Sequence, residues 1–456
     1  MSTIVANTPG KEAPGPRGEW LVGNMRDFRR DSLGTLAQSF ATYGDIVKFK
    51  LGGRVLHMVA HPELAQEVLI DRSSEFVKMP KHQGLGLMLG NGLITNDNHE
   101  SWLTQRRMMQ PMFHRQRLVA MGDKMVAAGE RMIGRWQAWP DGETVNIAEE
   151  MMQVTLDIIT QTMFSADVLS EAGRVGPAVA TTTHFVSKRG VGPIQLPVSW
   201  PTPNNRAFRQ ATQTLDEIVY RLINQRRAEG TTHGDLLDML LEARDADNGE
   251  SMSNQQLRDE VLTIFAAGHE TTANTLSWAW YMLAQHPEVM ARLQAELDSV
   301  LEGRTPTIAD LPNLPYTQQV FNEVLRLYPA APSIPRLVPR ETTLRGYTLP
   351  AKSMILLSIY NIQRHPEFWS DPNTFNPDRW AGDNHKRQHR LAFMPFSAGP
   401  RICIGNNLAL MEGQLLLAMV AQYADLRLVP GQQVKPEVAV TMRPKDGLQM
   451  TIHPRH

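Results

Sequence analysis

The sequence has one cysteine, Cys403, among its 456 residues, so no disulfide can form within the chain. This cysteine usage is typical of a reducing compartment, and we expect a cytoplasmic protein. No stretch reaches the roughly 18 uninterrupted apolar residues of a membrane-spanning helix, and the first residues lack the apolar core of a signal peptide. These absences predict neither secretion nor a membrane anchor.

The sequence also has no excess of charge of either sign, since it contains 46 Lys and Arg residues and 47 Asp and Glu residues. Nucleic acids are bound through clustered cations, so no nucleic-acid partner is predicted. The composition, 42% hydrophobic and 20% charged, is that of a globular chain that can bury a large core. No internal repeat or linker is evident, which predicts one domain over residues 1–456, with a Pro- and Gly-rich arm at 1–18.

Most of the sequence has the periodicity of α-helices. They run from about Ser101 to Leu327, whereas alternation typical of strands occurs at 46–60 and again at 347–360 and 438–453. The sequence therefore predicts a mainly α fold with small β-sheets, of the α+β class.

One predicted helix is unusually long. Ser253 and Gln256 have the spacing of a capping box and Pro287 is a stop signal, so the helix would extend for roughly 50 Å at 1.5 Å per residue. Its middle, residues 265–272, contains Gly268 and two β-branched residues, which weaken a helix. A packing notch and a functional site are both open interpretations of that glycine.

The single cysteine lies in a loop, residues 396–405, that leads into a helical pattern from about Asn406. Gly399 and Gly405 permit tight turns, which would let the loop lie against a flat ligand. Backbone amides and a helix N-terminus favour negative charge, so we expect a lowered thiol pKa and a thiolate, the form that soft metals prefer.

The residues alone leave other interpretations of Cys403 open. It could be a small buried hydrophobe, or a nucleophile, although no histidine base stands close to it in the sequence. Zinc is poorly supported, because three further ligands would be needed and the histidines show no paired spacing.

Residues 396–405 resemble the haem-binding signature of the cytochrome P450 family, Phe-x-x-Gly-x-Arg-x-Cys-x-Gly, at every fixed position. Further motifs of the family follow in order across residues 14–453. The resemblance implies the P450 fold, in which a long central helix crosses over haem b and Cys403 binds the iron on the proximal side. It also implies a monooxygenase that inserts one oxygen atom of O2 into a hydrophobic small molecule, by hydroxylation or epoxidation.

Residues 267–272 resemble the distal-helix motif of the same family. The resemblance implies that small residues, including Ala267, leave room for dioxygen beside a local helical distortion. It implies that Thr271 supplies the hydroxyl that hydrogen-bonds the activated oxygen and that Glu270 belongs to the relay that brings protons from solvent. His269 is the motif's variable position, so we expect it to face packing or solvent rather than iron.

The resemblance also assigns the surroundings of the haem. Its propionates would be held by four residues, Trp102, Arg106, Arg336 and Arg401, whereas Arg107 and Arg340 would face solvent or other partners. The other expected haem contacts are Ala267, Phe396, Gly399, Cys403 and Gly405. Glu323, Arg326 and Arg379 resemble the family's Glu-Arg-Arg cluster, a buried structural network behind the cysteine loop.

Substrate contacts are inferred from the same resemblance. Residues 81–93 would form a loop over the distal face, and residues 185–203 an entrance lid. The expected apolar walls are Leu87, Leu89, Ala331, Ile334 and Met442. A fatty acid, a terpenoid or an aromatic compound would fit such a pocket.

Electrons would come from a separate ferredoxin or flavodoxin-type donor with its reductase, because no flavin, iron–sulfur or dinucleotide-binding segment is left beside the haem domain. A basic proximal surface near Arg401 would dock this donor, and we expect the enzyme to be a monomer. The alternatives are a peroxide-using or isomerase-type P450, a non-catalytic haem protein and, more remotely, a cysteine hydrolase. An intact Glu270-Thr271 pair argues against the first two of these.

Overall fold

The computed structural model describes residues 10–166, 171–190, 196–230, 232–244, 249, 251–382 and 387–455. Its α-helices are α1 (Met25–Tyr43), α2 (Pro62–Gln66), α3 (Gly86–Leu89), α4 (His99–Met109), α5 (Arg115–Ala120), α6 (Gly122–Gln137), α7 (Ile147–Met163), α8 (Ala172–Gly190), α9 (Pro203–Glu229), α10 (Leu236–Glu242), α11 (Asn254–Gln285), α12 (Pro287–Leu301), α13 (Pro315–Leu327), α14 (Ile359–Ile362) and α15 (Asn406–Tyr423). Its strands are β1 (Ile46–Leu51), β2 (Arg54–Val59), β3 (Glu143–Asn146), β4 (Ile334–Leu337), β5 (Thr342–Leu344), β6 (Tyr347–Leu349), β7 (Met354–Leu357), β8 (Ala424–Leu428), β9 (Pro436–Val438), β10 (Met442–Pro444) and β11 (Gln449–Pro454).

The strands form small sheets at the periphery of the helices, as the sequence predicts. One sheet has the order β1-β2-β7-β4, a second has the order β3-β11-β8, and β5-β6 and β9-β10 are two-stranded pairs. β1 and β2 pair antiparallel across Gly52, whose φ of 61° favours a residue without a side chain. Val47 and Phe49, which alternate along β1, are fully buried.

The Pro- and Gly-rich arm lies on two of these sheets. Lys48 in β1 donates its backbone amide to the Pro14 carbonyl at 2.7 Å, and Lys11 makes a backbone pair with the β5–β6 turn. The arm adds no regular strand because proline lacks the amide hydrogen that a ladder needs. Residues 1–9 of the predicted arm lie outside the described residues.

The long helix α11 confirms the prediction made from its capping signals. The Ser253 hydroxyl accepts the Gln256 amide at 3.1 Å, and the 32 residues of α11 end directly before His286, so the helix extends for roughly 48 Å. It packs along α7 and also contacts α9, α13 and α15, which makes it the centre of the largest core cluster.

Every residue of α11 is helical, so the segment around Gly268 belongs to one continuous helix. A β-carbon at Gly268 would lie 2.5 Å from the Ile159 side chain of α7. Glycine therefore lets two helices approach closely, and tertiary packing on both sides keeps the weak segment helical.

The two segments predicted to cover the distal face contain regular structure. Residues 81–93 include α3, and residues 185–203 contain the end of α8 and the Thr202 cap of α9, while 191–195 lie outside the described residues. Within the described part of the chain, no helix is both long and apolar enough to cross a membrane.

Candidate active site

A cavity of about 320 Å³ is enclosed by the middle of α11, the cysteine loop, the start of α15 and the segments before α4 and after α13. Ala267, Gly268 and Thr271 line it from α11, and Cys403 lines it from the cysteine loop. The two sequence motifs, more than a hundred residues apart, thus face a single space.

The cysteine loop is held by a short 3-10 turn, Gly399–Arg401, and by the Cys403 amide, which donates to the Phe396 carbonyl at 3.0 Å. Gly399 has a φ of 72°, and a β-carbon there would lie 2.1 Å from the Leu69 carbonyl oxygen. Gly405 has a φ of −91° and lies in a tight turn, so of the two predicted conformations it adopts the turn and not the left-handed one. It lines the cavity, and a β-carbon there would meet no atom closer than 3.9 Å, so its lack of a side chain leaves cavity volume free.

The Cys403 thiol is accessible from the cavity although protein surrounds it. Burial raises the pKa of this thiol, and the Gly405 amide and the Arg106 charge oppose that shift only in part. The expected lowering of the thiol pKa by the loop alone was therefore wrong, because desolvation exceeds the effect of the amides. A bound metal ion would reverse the sign, since a coordinating thiol is deprotonated by the charge of the ion.

Four cations line the cavity, namely Lys78, Arg106, Arg336 and Arg401. Burial lowers the pKa of Lys78 to about 7 and the pKa values of Arg336 and Arg401 to about 10. In the described part of the chain, no carboxylate lies within ion-pair distance of any of the four. Buried positive charge without a counterion is costly, so this end of the cavity is suited to a ligand with negative charge.

Two of these arginines connect α4 to the cysteine loop. Arg401 lies over the ring of the buried Trp102, with 3.9 Å between the guanidinium carbon and the ring centroid, and donates to the Asn96 carbonyl at 3.0 Å. Arg106 donates to the Ile402 carbonyl at 2.8 Å. The predicted set of Trp102, Arg106, Arg336 and Arg401 is thus brought together, and Lys78 joins it without any sequence signal, because only folding places it there.

On α11, the two polar residues of the distal motif point in different directions. Thr271 lines the cavity, and its hydroxyl donates to the Ala267 carbonyl at 2.8 Å. Glu270 is buried outside the lining and accepts the Thr441 hydroxyl at 2.5 Å. His269 is also buried, with its Nδ1 at 2.7 Å from the Phe265 carbonyl oxygen, so the prediction that it serves packing is confirmed.

Only part of the predicted substrate wall reaches the cavity. Ala331 and Ile334 line it, whereas Leu87, Leu89 and Met442 are absent from the lining. Leu89 turns into the main core because α3 is helical, and Met442 is buried beneath α11, where its carbonyl accepts the Trp278 indole at 3.0 Å. The aliphatic lining that the sequence did not identify comes from Leu93, Ile94, Ile159 and Ile264.

The predicted charge cluster lies at the back of the cysteine loop. Glu323 and Arg326 have fully buried side chains joined at 2.8 Å, and Arg379 approaches Glu323 at 3.3 Å. Gln363 accepts the Met394 amide ahead of the cysteine loop and donates to the Arg326 carbonyl. The cluster is therefore connected to the segment that leads into residues 396–405. Arg107 and Arg340 are exposed, as predicted.

A sequence model of the family "Cytochrome P450" matches residues 13–452. The chain belongs to the cytochrome P450 family. It is 36% identical to the cyclooctat-9-en-7-ol 5-monooxygenase of Streptomyces melanosporofaciens over 93% of this chain and 94% of that protein. It is 33% identical to the pentalenene oxygenase of Streptomyces avermitilis, over 96% and 95%. The crystal structure of the cytochrome P450DA heme domain superposes with a TM-score of 0.87 at 26% identity, covering 98% of this chain and 99% of that one.

The P450 cofactor, a haem iron, fits the residues that are present. The single cysteine of the chain lines the cavity, and the cations of the lining, which have no acidic partners among the described residues, match two propionates. The described residues that line the cavity include no histidine. This P450 is a haem-thiolate monooxygenase that acts on a hydrophobic substrate.

Proposed function

We propose that this P450 monooxygenase oxygenates a terpenoid, and the aliphatic wall of the cavity carries the proposal. Ile159, Ile264, Ala331 and Ile334 offer hydrocarbon surface. A fatty acid would need a cation for its carboxylate, but the four cations of the lining are assigned to the haem propionates. The relatives named for cyclooctat-9-en-7-ol and pentalenene further support a terpenoid.

The other residues of the site would bind the haem. Bound haem supplies the oxygen activation, with Cys403 as its sulfur ligand. Arg106, Arg336, Arg401 and the indole of Trp102 hold the propionates, and Lys78 adds a further cation. Phe396 and Gly399 shape the loop beside the sulfur, while Ala267 and Gly405 leave room for the ring.

Thr271 and Glu270 deliver protons in this proposal. The Thr271 hydroxyl donates to the Ala267 carbonyl and must turn from it to donate into the cavity. Glu270 is held by Thr441, which in turn accepts the Asn274 amide at 3.1 Å. A rotation of the Glu270 side chain away from Thr441 would bring its carboxyl toward Thr271, so that Glu270 would carry a proton taken up from solvent.

The electron donor is proposed to be a ferredoxin or flavodoxin-type protein with its reductase. Residues 101–122 contain four arginines and no acidic residue. Three of them, Arg107, Arg115 and Arg117, are exposed on α4 and α5, and α5 packs against α15, the helix that follows the cysteine loop. This basic surface is suited to an acidic donor. We also propose a monomeric, single-domain enzyme over residues 1–456 in the cytoplasm, where a lone free cysteine is stable.

The first experiment is the absorption spectrum of the dithionite-reduced protein before and after carbon monoxide is added. A Soret band shifted far to the red in the wild type and lost in Cys403→Ala is the expected result. Turnover with a surrogate ferredoxin, its reductase and isotopically labelled dioxygen then tests the substrate class. Incorporation of one labelled oxygen atom into terpenes but not into fatty acids supports the proposal, and the reverse pattern overturns it.

A further inference from the structure

Two neighbouring apolar side chains near the start of the chain are unusually exposed. Trp20 is 94% exposed and Leu21 is 73% exposed, whereas the next most exposed large apolar side chain of the described residues, that of Trp200, is 54% exposed. Single apolar side chains are common on protein surfaces, but tryptophan has a large apolar area and is highly buried on average. A tryptophan and a leucine that project together into solvent therefore indicate a surface that contacts a partner.

The turn that carries these two side chains, residues 19–23, has a hydrogen-bonded backbone. The amides of Glu19 and Gly23 each donate to the carbonyl of the other, at 2.9 and 2.8 Å, and the Val22 carbonyl accepts an amide of the β1–β2 turn at 3.1 Å. A β-carbon at Gly23 would lie 2.0 Å from the Lys50 carbonyl oxygen, so the 19–23 turn rests directly on the end of β1. The apolar tip is thus held outward by an ordered backbone, and little conformational freedom is lost when it binds a partner.

Basic side chains surround this turn. Residues 17–31 and 48–54, which contain the turn, the start of α1 and the tip of the β1–β2 hairpin, include seven Lys and Arg residues and three acidic residues. Arg17, Lys50 and Arg54 are exposed, and no carboxylate of the described residues lies within ion-pair distance of any of the three. The apolar tip therefore lies among positive charges that the described part of the chain does not neutralise.

An anionic lipid surface complements this combination of an apolar tip and basic neighbours. Tryptophan is enriched where membrane lipids meet water, because its ring is apolar and its indole N–H is polar. Basic side chains beside such a tip are attracted to the phosphates of anionic headgroups. The acid of the turn, Glu19, opposes this attraction little, because Arg26 pairs with it at 3.1 Å. A protein partner fits less well, because two side chains at the tip of a turn offer much less than the roughly 800 Å² that each side of a stable interface buries.

We propose that the 19–23 turn binds the enzyme reversibly to the surface of a membrane that contains anionic lipids. Trp20 and Leu21 enter the headgroup region, and Arg17, Lys50 and Arg54 lie against lipid phosphates. A hydrophobic substrate concentrates in lipid, so an enzyme on that surface meets its substrate where the substrate accumulates. The inference does not depend on which hydrophobic compound the enzyme oxygenates.

The test measures the partition of the haem-loaded enzyme onto lipid vesicles by flotation. Vesicles of phosphatidylcholine mixed equally with phosphatidylglycerol are anionic, and vesicles of phosphatidylcholine alone are neutral. We expect the wild type to bind the anionic vesicles at least about 10-fold more strongly, since each cation near such a surface contributes a factor of about 5. Trp20→Ser with Leu21→Ser should lower binding to the anionic vesicles by at least about 10-fold, because the apolar contact is lost.

Three further variants separate the apolar contact from the charges and from other surfaces. Trp20→Phe keeps an apolar ring and should retain most of the binding. Arg17→Gln with Arg54→Gln should weaken binding to the anionic vesicles about 25-fold and change binding to the neutral vesicles little. Val119→Ser removes an exposed apolar side chain of α5, on the other basic surface, and should change neither. All of these side chains are exposed, so the haem spectrum and thermal unfolding should match those of the wild type.

The possible results separate this inference from the proposed function. Unchanged binding in Trp20→Ser with Leu21→Ser, equal binding to the two kinds of vesicle, or binding to neither overturns the inference, and the last result would leave the turn to a protein partner. An equal loss of binding in Val119→Ser would move the attachment to α5 and overturn it as well. Turnover of dissolved terpenes without vesicles should be equal in the wild type and these variants, so its absence from all of them would contradict the proposed substrate class and not the lipid contact.

Discussion

Lys78 lies beside Arg336 and Arg401, and burial with these neighbouring charges lowers its pKa to about 7. In the unfolded chain the pKa of a lysine is about 10.4, so between these values the unfolded state binds more protons than the folded apoprotein. Stability linked to Lys78 is therefore fully present at high pH and is lost as the pH falls toward 7. The propionates of a bound haem would reverse this penalty by pairing with the cation.

We predict that the free energy of unfolding of the apoprotein rises between pH 7 and pH 10, with a contribution of up to about 1.4 kcal/mol per pH unit from Lys78. Lys78→Met should remove this contribution, and haem should remove it in the wild type. Urea unfolding at several pH values measures the slope. Lys81→Met, which changes an exposed lysine three residues later, controls for the loss of one lysine. A slope that persists in Lys78→Met would contradict the assignment.

Some residues of the site could be predicted from the sequence and others could not. Cys403 and Arg401 belong to one contiguous loop, and Thr271 to one helical motif, so their common site could be predicted from local patterns. Lys78 belongs to no motif, and it reaches the cavity only because α11 and the segments around it pack as they do. The thiol pKa was predicted with the wrong sign, because desolvation depends on atoms that are remote in the sequence.

At the scale of elements, the ends of α11 could be predicted from the sequence, but the helices against which it packs could not. The Ser253 cap and the Pro287 stop are local signals, and both hold in the structure. The behaviour of Gly268 depends on Ile159, which lies on α7 more than a hundred residues earlier. Gly268 would weaken an isolated helix, but in the folded protein it allows α11 to pack closely against α7.

Gly268→Ala tests this packing between α7 and α11. The new β-carbon would lie 2.5 Å from Ile159, and overpacking of this kind costs about 1–3 kcal/mol, partly offset by about 1 kcal/mol from the better helix propensity of alanine. We predict net destabilisation in thermal or urea unfolding. Ile159→Ala in the same chain removes both side-chain atoms nearest to the new β-carbon and should recover much of it, measured as a double-mutant cycle. Additive effects of the two substitutions would show that the contact does not limit the packing.

The Glu323 cluster joins α13 to the segment before the cysteine loop, so it should affect haem retention more than chemistry. Glu323 also accepts the Asn376 amide and the Trp380 indole, each at 3.0 Å. Removing one partner of a buried ion pair costs about 3–5 kcal/mol. We predict that Glu323→Ala is purified with much less haem per protein, measured as the ratio of Soret to protein absorbance.

The matched control for this cluster is Arg292→Ala. Arg292 pairs with Asp378 at 2.8 Å in the same segment, but both side chains are more than half exposed. Exposed pairs contribute about 0–1 kcal/mol, so haem content should stay near that of the wild type. Full haem occupancy in Glu323→Ala, or equal losses in the two variants, would contradict a specific role of the buried cluster.

At the scale of the whole molecule, the two sides of the haem site differ in charge and in their expected partners. The distal side offers aliphatic surface, whereas α4 and α5, toward the cysteine loop, expose three arginines without a nearby acidic residue in the sequence. Charged surfaces accelerate association with partners of opposite charge, and this acceleration falls as salt screens it. A net charge of −1 for the chain conceals this asymmetry.

Charge reversal on the arginine surface should therefore slow reduction by an acidic donor. We predict that Arg107→Glu with Arg117→Glu lowers the second-order rate of reduction by at least 10-fold at low salt, where steering contributes factors of about 10–1000. The rate of the variant should also depend less on ionic strength than the wild-type rate, because the attractive charges that salt screens have been removed. Stopped-flow reduction under carbon monoxide, at several salt concentrations, measures both quantities.

Arg227→Glu is the control for the change in net charge. Arg227 is exposed near the end of α9, which packs against α8 and α11 rather than against the helix that follows the cysteine loop. If only the total charge of the protein steered the donor, each reversed charge would slow reduction equally on α4 and α5 and on α9. Slower reduction confined to the α4 and α5 variant would localise the docking surface, and equal slowing by Arg227→Glu would require the donor to approach elsewhere.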